Sequence, residues 1–192
     1  EYVRARTGKP FQTFASDADA GYFSQAHYPA SELVPCVAMP HSPDNVAAAG
    51  DVASERIDRA YIGSCTGGKI TDFLAAARIL IGRKVSVPTY LVPATVEVAG
   101  QLQSETVDGK SLLEIFADAG CIEPAPPSCA ACLGGPVDTF GRVNTPETCI
   151  STTNRNFVGR MGSKEAAVIL ASPLTVAASA VTGRITDPRN FL

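Results

Sequence analysis

From residue 56 onward, short apolar runs alternate with helical segments, and this alternation limits the possible folds more than any other feature of the sequence. Residues 57–62 form a β-prone run, and residues 70–81 place apolar side chains at helical spacing as far as Gly82. Residues 85–92 form a second run that is almost wholly apolar, which is typical of a strand buried on both faces of a parallel sheet. We therefore expect an α/β fold, a three-layer α/β/α sandwich with a mostly parallel sheet.

The remainder of the chain continues the same pattern. One helix, two strands and a closing helix are predicted over residues 111–119, 148–152, 168–171 and 173–182. Residues 1–50 are irregular, hold two aromatic-rich stretches and are punctuated by proline, so we interpret them as an extended lead-in with one or two edge strands. A chain of 192 residues is long enough to fill one hydrophobic core. We predict a single domain over 1–192, with its α/β core over 51–192.

Composition and charge exclude several classes of protein. Hydrophobic residues make up 45% of the chain and charged residues 18%, which is ordinary for a soluble globular protein and too apolar for disorder. The net charge is −3 and the 16 basic residues are scattered, so no nucleic-acid partner is expected. No run approaches the ~20 apolar residues of a membrane span, and the first residues do not resemble an export signal. We expect the cytoplasm, or an organelle matrix in a eukaryote.

The polar and cysteine-bearing segments follow the predicted strands directly. They are residues 64–66, 93–95 and 152–155, together with Ser172. In open α/β sheets the ligand crevice lies at the carboxyl ends of the strands. The sequence therefore predicts that its unusual chemistry is gathered on one rim of the sheet.

Three of the six cysteines lie in loops where a metal group could bind. Cys129 and Cys132 form a CxxC pair between prolines and glycines, and Cys65 follows a predicted strand. A zinc site needs further Cys or His ligands, and the only histidines, His27 and His41, are distant in sequence. Three cysteines without a fourth suit a cubane cluster with one open iron, although spacing alone also leaves zinc and redox sites open. The other cysteines are predicted to be small buried hydrophobic residues: Cys36, Cys121 and Cys149.

The loop at 154–160 carries two arginines and two amides after a predicted strand. Arginine presents a planar fork of donors that binds a carboxylate through two hydrogen bonds. Arg155 and Arg160 are therefore candidates for binding an acidic substrate, and the alternative is that they are solvated loop residues.

Four segments resemble the aconitase superfamily in the same order along the chain. Tyr61-Ile-Gly-Ser-Cys-Thr-Gly-Gly-Lys69 resembles the first cluster-binding segment of the family, and residues 127–136 resemble the second. Residues 151–160 resemble the substrate-binding loop, and residues 171–188 resemble the closing segment. Within the superfamily, the Gly-Gly-Lys after the first cysteine and the segment 40–46 are most similar to the large subunits of 3-isopropylmalate dehydratases. Homoaconitase-type enzymes are close behind.

The resemblance implies a [4Fe–4S] cluster held by Cys65, Cys129 and Cys132. It also implies that the substrate-binding residues are Asn154, Arg155 and Arg160, and that Ser64, next to the first ligand, belongs to the catalytic group. The implied reaction isomerises a 2-hydroxy di- or tricarboxylate by dehydration and rehydration. The first expectation is 2-isopropylmalate to 3-isopropylmalate, in leucine biosynthesis. The alternatives are a homoaconitase or aconitase domain, and a non-catalytic module that keeps the cluster.

The resemblance covers the cluster-bearing third domain only. Large subunits of this superfamily are longer, and the chain lacks an initiator Met, which indicates a processed product or a piece of a larger protein. The expected partners are the remaining large-subunit domains and a small subunit with the swivelling domain, which carries the serine base. A small-molecule hydroxy acid is the expected substrate, and the chain alone is expected to be inactive.

Overall fold

A computed structural model describes all 192 residues, which divide into two units, 1–33 and 34–192. The first unit is irregular apart from one turn of 3₁₀ helix at Ala30–Glu32, and almost all of its residues are exposed. Its exposed side chains include six aromatic rings: Tyr2, Phe11, Phe14, Tyr22, Phe23 and Tyr28.

The second unit is built on a six-stranded sheet. Its strands are β1 (Cys36–Ala38), β2 (Val46–Ala48), β3 (Arg59–Gly63), β4 (Thr89–Val92), β7 (Thr148–Ser151) and β8 (Ala167–Ala171), with the short hairpin β5 (Thr106–Val107) and β6 (Lys110–Ser111) apart from it. The helices are α1 (Ser64–Gly67), α2 (Ile70–Leu80), α3 (Val96–Ser104), α4 (Leu112–Ala119) and α5 (Pro173–Thr182), followed by a 3₁₀ turn at Pro188–Phe191. The strand order is β2-β1-β8-β7-β3-β4.

The sheet is mostly parallel. Strands β8, β7, β3 and β4 run in one direction, while β1 and β2 form an antiparallel edge beside β8. The α/β class and the mostly parallel sheet predicted from the sequence are confirmed. The one or two edge strands expected within residues 1–50 are β1 and β2. None of the helices is both long and apolar enough to cross a bilayer.

The two faces of the sheet are covered differently. Ala60 and Ile62 of β3 point to one face, where they pack with apolar side chains of α2, α3, α4 and α5; we call this the helix face. Tyr61 points to the opposite face, which we call the loop face, and irregular segments cover it through Ala125, Ala131, Phe140, Val143, Met161 and Ala166. The third layer is thus made of loops rather than helices. Prolines and glycines are frequent in residues 124–146, and both disfavour helix interiors.

Local sequence signals set the ends of the helices. Ser111 begins α4 by accepting a hydrogen bond from the Glu114 amide, while the Glu114 carboxylate accepts from the Ser111 amide. Pro173 occupies the first turn of α5, and Gly183 ends that helix in the left-handed conformation, with φ of 73°.

The strand predicted over 85–92 is shorter in the structure. Only Thr89–Val92 pairs in the sheet. The amide of Val85 donates to the carbonyl of Ala119, and the amide of Ser86 donates to that of Ala180. These donors therefore satisfy carbonyls at the ends of α4 and α5, where helices leave acceptors unpaired.

Candidate functional site

The candidate site lies at the carboxyl edge of the parallel strands. In the sheet register, Gly63 at the end of β3 is opposite Val92 of β4, and Tyr61 is opposite Ser151 at the end of β7. The turn that contains Cys65 and the loop that contains Asn154 therefore leave neighbouring strands on the same rim. The sequence predicted this arrangement from the topology of open α/β sheets.

Thr152 joins these two turns. Its amide donates to the carbonyl of Tyr61 (3.0 Å), and its side-chain oxygen accepts from the amide of Gly63 (2.8 Å) and lies 3.2 Å from the carbonyl of Gly67. A side chain at Gly67 would collide with Thr152, so the close approach requires glycine there. The turn that presents Cys65 is thereby fixed to the end of β7.

Ser64 begins that turn in an unusual conformation. Its φ of 64° lies in the left-handed region, which costs a residue with a β-carbon about 1–2 kcal/mol. The side chain is buried, with 1% exposed, and its Oγ has no hydrogen-bond partner in the chain. Strained backbone and orphaned polar atoms both concentrate at functional sites.

The CxxC segment forms a compact turn. The amide of Leu133 donates to the carbonyl of Cys129 (3.1 Å), and the amide of Gly135 donates to that of Ala130 (2.8 Å). Gly134 adopts φ of 67° within the turn. Cys129 is exposed, whereas Cys132 is buried with 4% exposed.

Arg160 connects the loop after β7 to this turn. Its Nη2 donates to Sγ of Cys132 (3.2 Å) and to Oδ1 of Asn154 (3.4 Å). Its Nε is buried without a partner, and the guanidinium carbon lies 5.5 Å from the centre of the Phe157 ring. The predicted substrate loop and the predicted CxxC ligand pair are therefore in direct contact.

The hydroxyl of Tyr61 is within electrostatic range of several thiols. It is fully buried and has no hydrogen-bond partner. Burial raises the pKa of this hydroxyl well above its usual value, and charge on the thiols of Cys132, Cys149, Cys129 and Cys65 raises the pKa further. The three predicted ligands are thus all within electrostatic range of one buried hydroxyl. The ring also lines a cavity of about 210 Å³, together with Val92, Pro127, Ser128, Ala131 and Phe140.

The thiols and buried hydrogen-bond donors of the site have the chemistry that an iron–sulfur cluster needs. All six cysteines are free thiols, and no three His, Cys, Asp or Glu side chains are close enough together to hold one metal ion. Ligands of a single ion converge on one centre, whereas each thiolate of a cubane binds a different iron, so that cluster ligands stand further apart. The orphaned Ser64 Oγ, Tyr61 hydroxyl and Arg160 Nε supply buried donors for hydrogen bonds to a bound group. These residues fit an iron–sulfur cluster.

Arg155 and Asn156 behave oppositely within the loop. Arg155 is exposed and its side chain makes no hydrogen bond or ion pair. Asn156 is fully buried, and its Nδ2 donates to the carbonyls of Met39 (2.9 Å) and Ala38 (3.3 Å). Asn156 therefore anchors the loop to the end of β1. No feature of the sequence distinguished its role from that of Asn154.

Comparison with known proteins identifies the family. The sequence model of the aconitase family (aconitate hydratase) matches residues 47–183. The chain belongs to the aconitase family. The matched range contains every residue that the sequence predicted for the site.

Several relatives in this family are similar over the whole chain. The chloroplastic 3-isopropylmalate dehydratase large subunit of Arabidopsis thaliana is 55% identical, and the match covers 100% of this chain and 38% of that protein. A 3-isopropylmalate dehydratase large subunit of Picrophilus torridus is 46% identical, with 100% and 44% covered. A probable methanogen homoaconitase large subunit of Methanosarcina mazei is 41% identical, with 100% and 46% covered. The chain therefore spans less than half the length of these relatives.

The prediction that the remaining cysteines of this aconitase-family chain are buried is correct only in part. Cys149 is fully buried and burial raises its pKa to about 12, while Cys121 is partly buried and burial raises its pKa to about 12 as well. Cys36 is exposed, so the prediction that it is buried was wrong. Alternation along β1 explains the difference, since the neighbouring Val37 occupies the inward position instead.

Proposed function

We propose that this chain is the cluster-bearing part of an iron–sulfur hydro-lyase, with Cys65, Cys129 and Cys132 as the ligands of a [4Fe–4S] cluster. One observation supports the proposal: the thiols of Cys65, Cys129 and Cys132 are all within electrostatic range of the buried Tyr61 hydroxyl, and the loop after β7 contacts Cys132 through Arg160. When bound, the cluster supplies a Lewis-acidic iron for the hydroxyl and a carboxylate of the substrate.

Arg155 binds a carboxylate of the substrate in this proposal. Its guanidinium is exposed and has no partner in the chain, so no internal bond must break before a ligand binds. The charge of arginine is permanent, and its planar fork matches both oxygens of a carboxylate. This supports a di- or tricarboxylic hydroxy acid as the substrate class.

Ser64 and Asn154 complete the part of the site that this chain contributes. Ser64 holds a buried hydroxyl without a partner beside the first ligand, where it can donate to a bound group. The carbonyl oxygen of Asn154 accepts from Arg160, which leaves the amide NH₂ available for the substrate. We propose Ser64 as a catalytic-site residue and Asn154 as a substrate-binding residue.

The substrate we propose is 2-isopropylmalate, converted to 3-isopropylmalate by removal and return of water. Relatives named 3-isopropylmalate dehydratase large subunit support this choice at 42–55% identity. A homoaconitase-type substrate is the second candidate, supported by the 41% identical relative named probable methanogen homoaconitase. A purely structural module is less favoured, because all three proposed ligands and both loop arginines are present.

The proposed partners are the rest of the large subunit and a small subunit. The chain spans 38–46% of the length of relatives named as large subunits. The strand-end segments that form the rim of the site contribute thiols, amides, hydroxyls and guanidinium groups but no carboxylate or imidazole. We propose that the general base is supplied by a partner. We propose the cytoplasm or an organelle matrix as the compartment, where the six free thiols would stay reduced.

Anaerobic reconstitution with iron and sulfide tests the cluster site. The wild-type chain is expected to take up both and to gain broad visible absorption. Cys65→Ser, Cys129→Ser and Cys132→Ser should each abolish the absorption, whereas Cys36→Ser and Cys121→Ser should retain it. A folded chain that loses its absorption through Cys121→Ser would show that the ligands are wrongly assigned.

Addition of the partners tests the activity. The loaded chain alone is expected to be inactive, and addition of the remaining large-subunit domains and the small subunit should produce turnover of 2-isopropylmalate. Turnover by the 192-residue chain alone would contradict the divided site.

A further inference from the structure

We propose that Tyr61 is a positioning residue for the cluster: its hydroxyl donates a hydrogen bond to a cluster sulfur and raises the midpoint potential of the cluster. The inference rests on the cluster site proposed above. It gives a task to a buried side chain of β3 that belongs neither to the three proposed ligands nor to the loop after β7.

The Tyr61 hydroxyl has no partner inside the chain. The side chain is fully buried, and its oxygen makes no hydrogen bond. Burial of a hydroxyl without a partner is unfavourable, and buried polar atoms in folded proteins are nearly always hydrogen-bonded. The buried side chains of its apolar cluster offer no oxygen or nitrogen acceptor: Val92, Ala131, Val143, Cys149, Met161, Ala166 and Val168. An acceptor that arrives with a bound group would satisfy the hydroxyl.

The packing of the ring prevents the hydroxyl from turning outward to water. An added β-carbon at Gly141 would lie 2.8 Å from Cε2 of Tyr61, so the segment around Gly141 passes close over the ring. The carbonyl of Tyr61 accepts from the amide of Thr152 at 3.0 Å, and Tyr61 is the register partner of Tyr90 on β4. The backbone and the ring are therefore both held, and the hydroxyl stays inside the loop face.

Both segments that carry the proposed ligands lead to this ring. Strand β3 continues from Tyr61 into the turn with Cys65, and Ala131, the residue before Cys132, lines the same cavity as the ring. The hydroxyl is within electrostatic range of all three proposed ligands. A cluster bound by them brings sulfur acceptors into the surroundings of an unpartnered donor. The alternative partner is a water in the cavity of about 210 Å³, beside Ser128.

A hydrogen bond to a cluster sulfur changes the redox chemistry of the iron. The donor draws electron density from the sulfur and stabilises the reduced, more negative cluster, so the midpoint potential rises. The low dielectric of a buried site strengthens such a bond, and Tyr61 is fully buried. Tyr61 should therefore shift the potential of the cluster and leave its iron content unchanged.

One variant and one matched control test the proposal on the reconstituted chain. Tyr61→Phe removes the hydroxyl and keeps the ring. Tyr90→Phe makes the same change at the register partner on β4, where the ring packs against Phe140 with centroids 5.2 Å apart. The measurements are iron and sulfide per chain, the midpoint potential in a dithionite titration, and the shift of the iron–sulfur stretching bands in resonance Raman spectra after reconstitution in D₂O. We expect Tyr61→Phe, at full cluster content, to have a more negative potential and a smaller isotope shift, and Tyr90→Phe to match wild type.

Each other outcome overturns one of the two proposals. A loaded Tyr61→Phe chain with the potential and isotope shift of wild type overturns the role of Tyr61 and leaves the cluster site intact. Equal changes in Tyr61→Phe and Tyr90→Phe also overturn this role, because the effect would then come from the general polarity of the loop face. A wild-type chain that takes up neither iron nor sulfide overturns the cluster site, and the role of Tyr61 with it.

Discussion

The side-chain oxygen of Thr152 lies 2.8 Å from the backbone nitrogen of Gly63, and this contact joins the end of β7 to the end of β3. Both residues are buried. The same hydroxyl also reaches the carbonyl of Gly67. One side chain thus satisfies backbone groups on both sides of the turn that presents Cys65, and the geometry of the proposed site depends on it.

Replacement of Thr152 by valine should destabilise the chain. Valine keeps the shape but loses the hydroxyl, so the Gly63 amide and the Gly67 carbonyl lose a buried partner at a cost of about 1–3 kcal/mol each. We expect the free energy of unfolding in urea to fall by about that amount. Thr152→Ser is the control, since it keeps the hydroxyl and should cost only about 1 kcal/mol for the lost methyl group. Equal losses for both variants would indicate that packing, not hydrogen bonding, is the role of Thr152.

Two glycine-to-alanine substitutions should have opposite effects. Gly67→Ala forces a β-carbon into Thr152, and overpacking of this kind costs about 1–3 kcal/mol. Gly100→Ala lies in α3 with nothing near the new β-carbon, so the helix should gain about 0.5–1 kcal/mol. Urea unfolding measures both changes. Iron uptake should fall only for Gly67→Ala, and a Gly67→Ala chain as stable as wild type would contradict the close contact.

The fold could be predicted where local signals agree. Helix α2 was found from its apolar spacing and Gly82, and α5 from Pro173 and Gly183. Helix α3 was missed, because it contains Gly100 and buries only two side chains, Val98 and Leu102. The loop covering of one sheet face was also unpredictable. It depends on tertiary contacts of Pro- and Gly-rich segments that carry no periodic pattern.

The position of the site could be predicted, but not its internal contacts. Cysteines and amides directly after strands identify one rim from topology alone. The contact between Arg160 and Cys132 joins residues 28 positions apart and arises from the packing of two turns. The anchoring role of Asn156 depends likewise on the carbonyls of Ala38 and Met39. Neither contact can be predicted from a sequence pattern.

Replacement of Tyr61 by phenylalanine should not destabilise the cluster-free chain. The Tyr61 hydroxyl is buried without a partner, so its removal relieves a desolvation cost of about 1–3 kcal/mol. We expect the free energy of unfolding to stay equal or rise. The loaded chain should instead lose its visible absorption faster in air, because the hydroxyl is an unpartnered buried donor within electrostatic range of the thiols. A large loss of stability in the cluster-free chain would reveal an internal partner for the hydroxyl.

The buried thiol of Cys149 should make stability fall at high pH. Burial raises its folded-state pKa from its usual value to about 12, so folding favours the neutral thiol. The stability that the neutral thiol contributes is complete below the unfolded-state pKa near 9, and this stability is lost as pH rises toward 12. Between about pH 8 and about pH 10, the free energy of unfolding should therefore fall more for wild type than for Cys149→Ala. Parallel pH profiles for the two chains would contradict a titration that is linked to folding.

Replacement of Arg155 by lysine should weaken turnover by the assembled enzyme without changing cluster content. Arg155 is exposed and unpaired, so lysine is tolerated in the fold but offers a point charge in place of a fork. Loss of one charge-assisted hydrogen bond costs about 1.5–3 kcal/mol, which corresponds to a fall in kcat/KM of roughly 10- to 100-fold. Steady-state kinetics on the complex with its partner subunits measures the fall, and iron analysis checks the cluster. Arg78→Lys, on the exposed surface of α2, should leave kcat/KM unchanged. Turnover by Arg155→Lys at the wild-type rate, with full cluster content, would contradict the substrate-binding role proposed for Arg155.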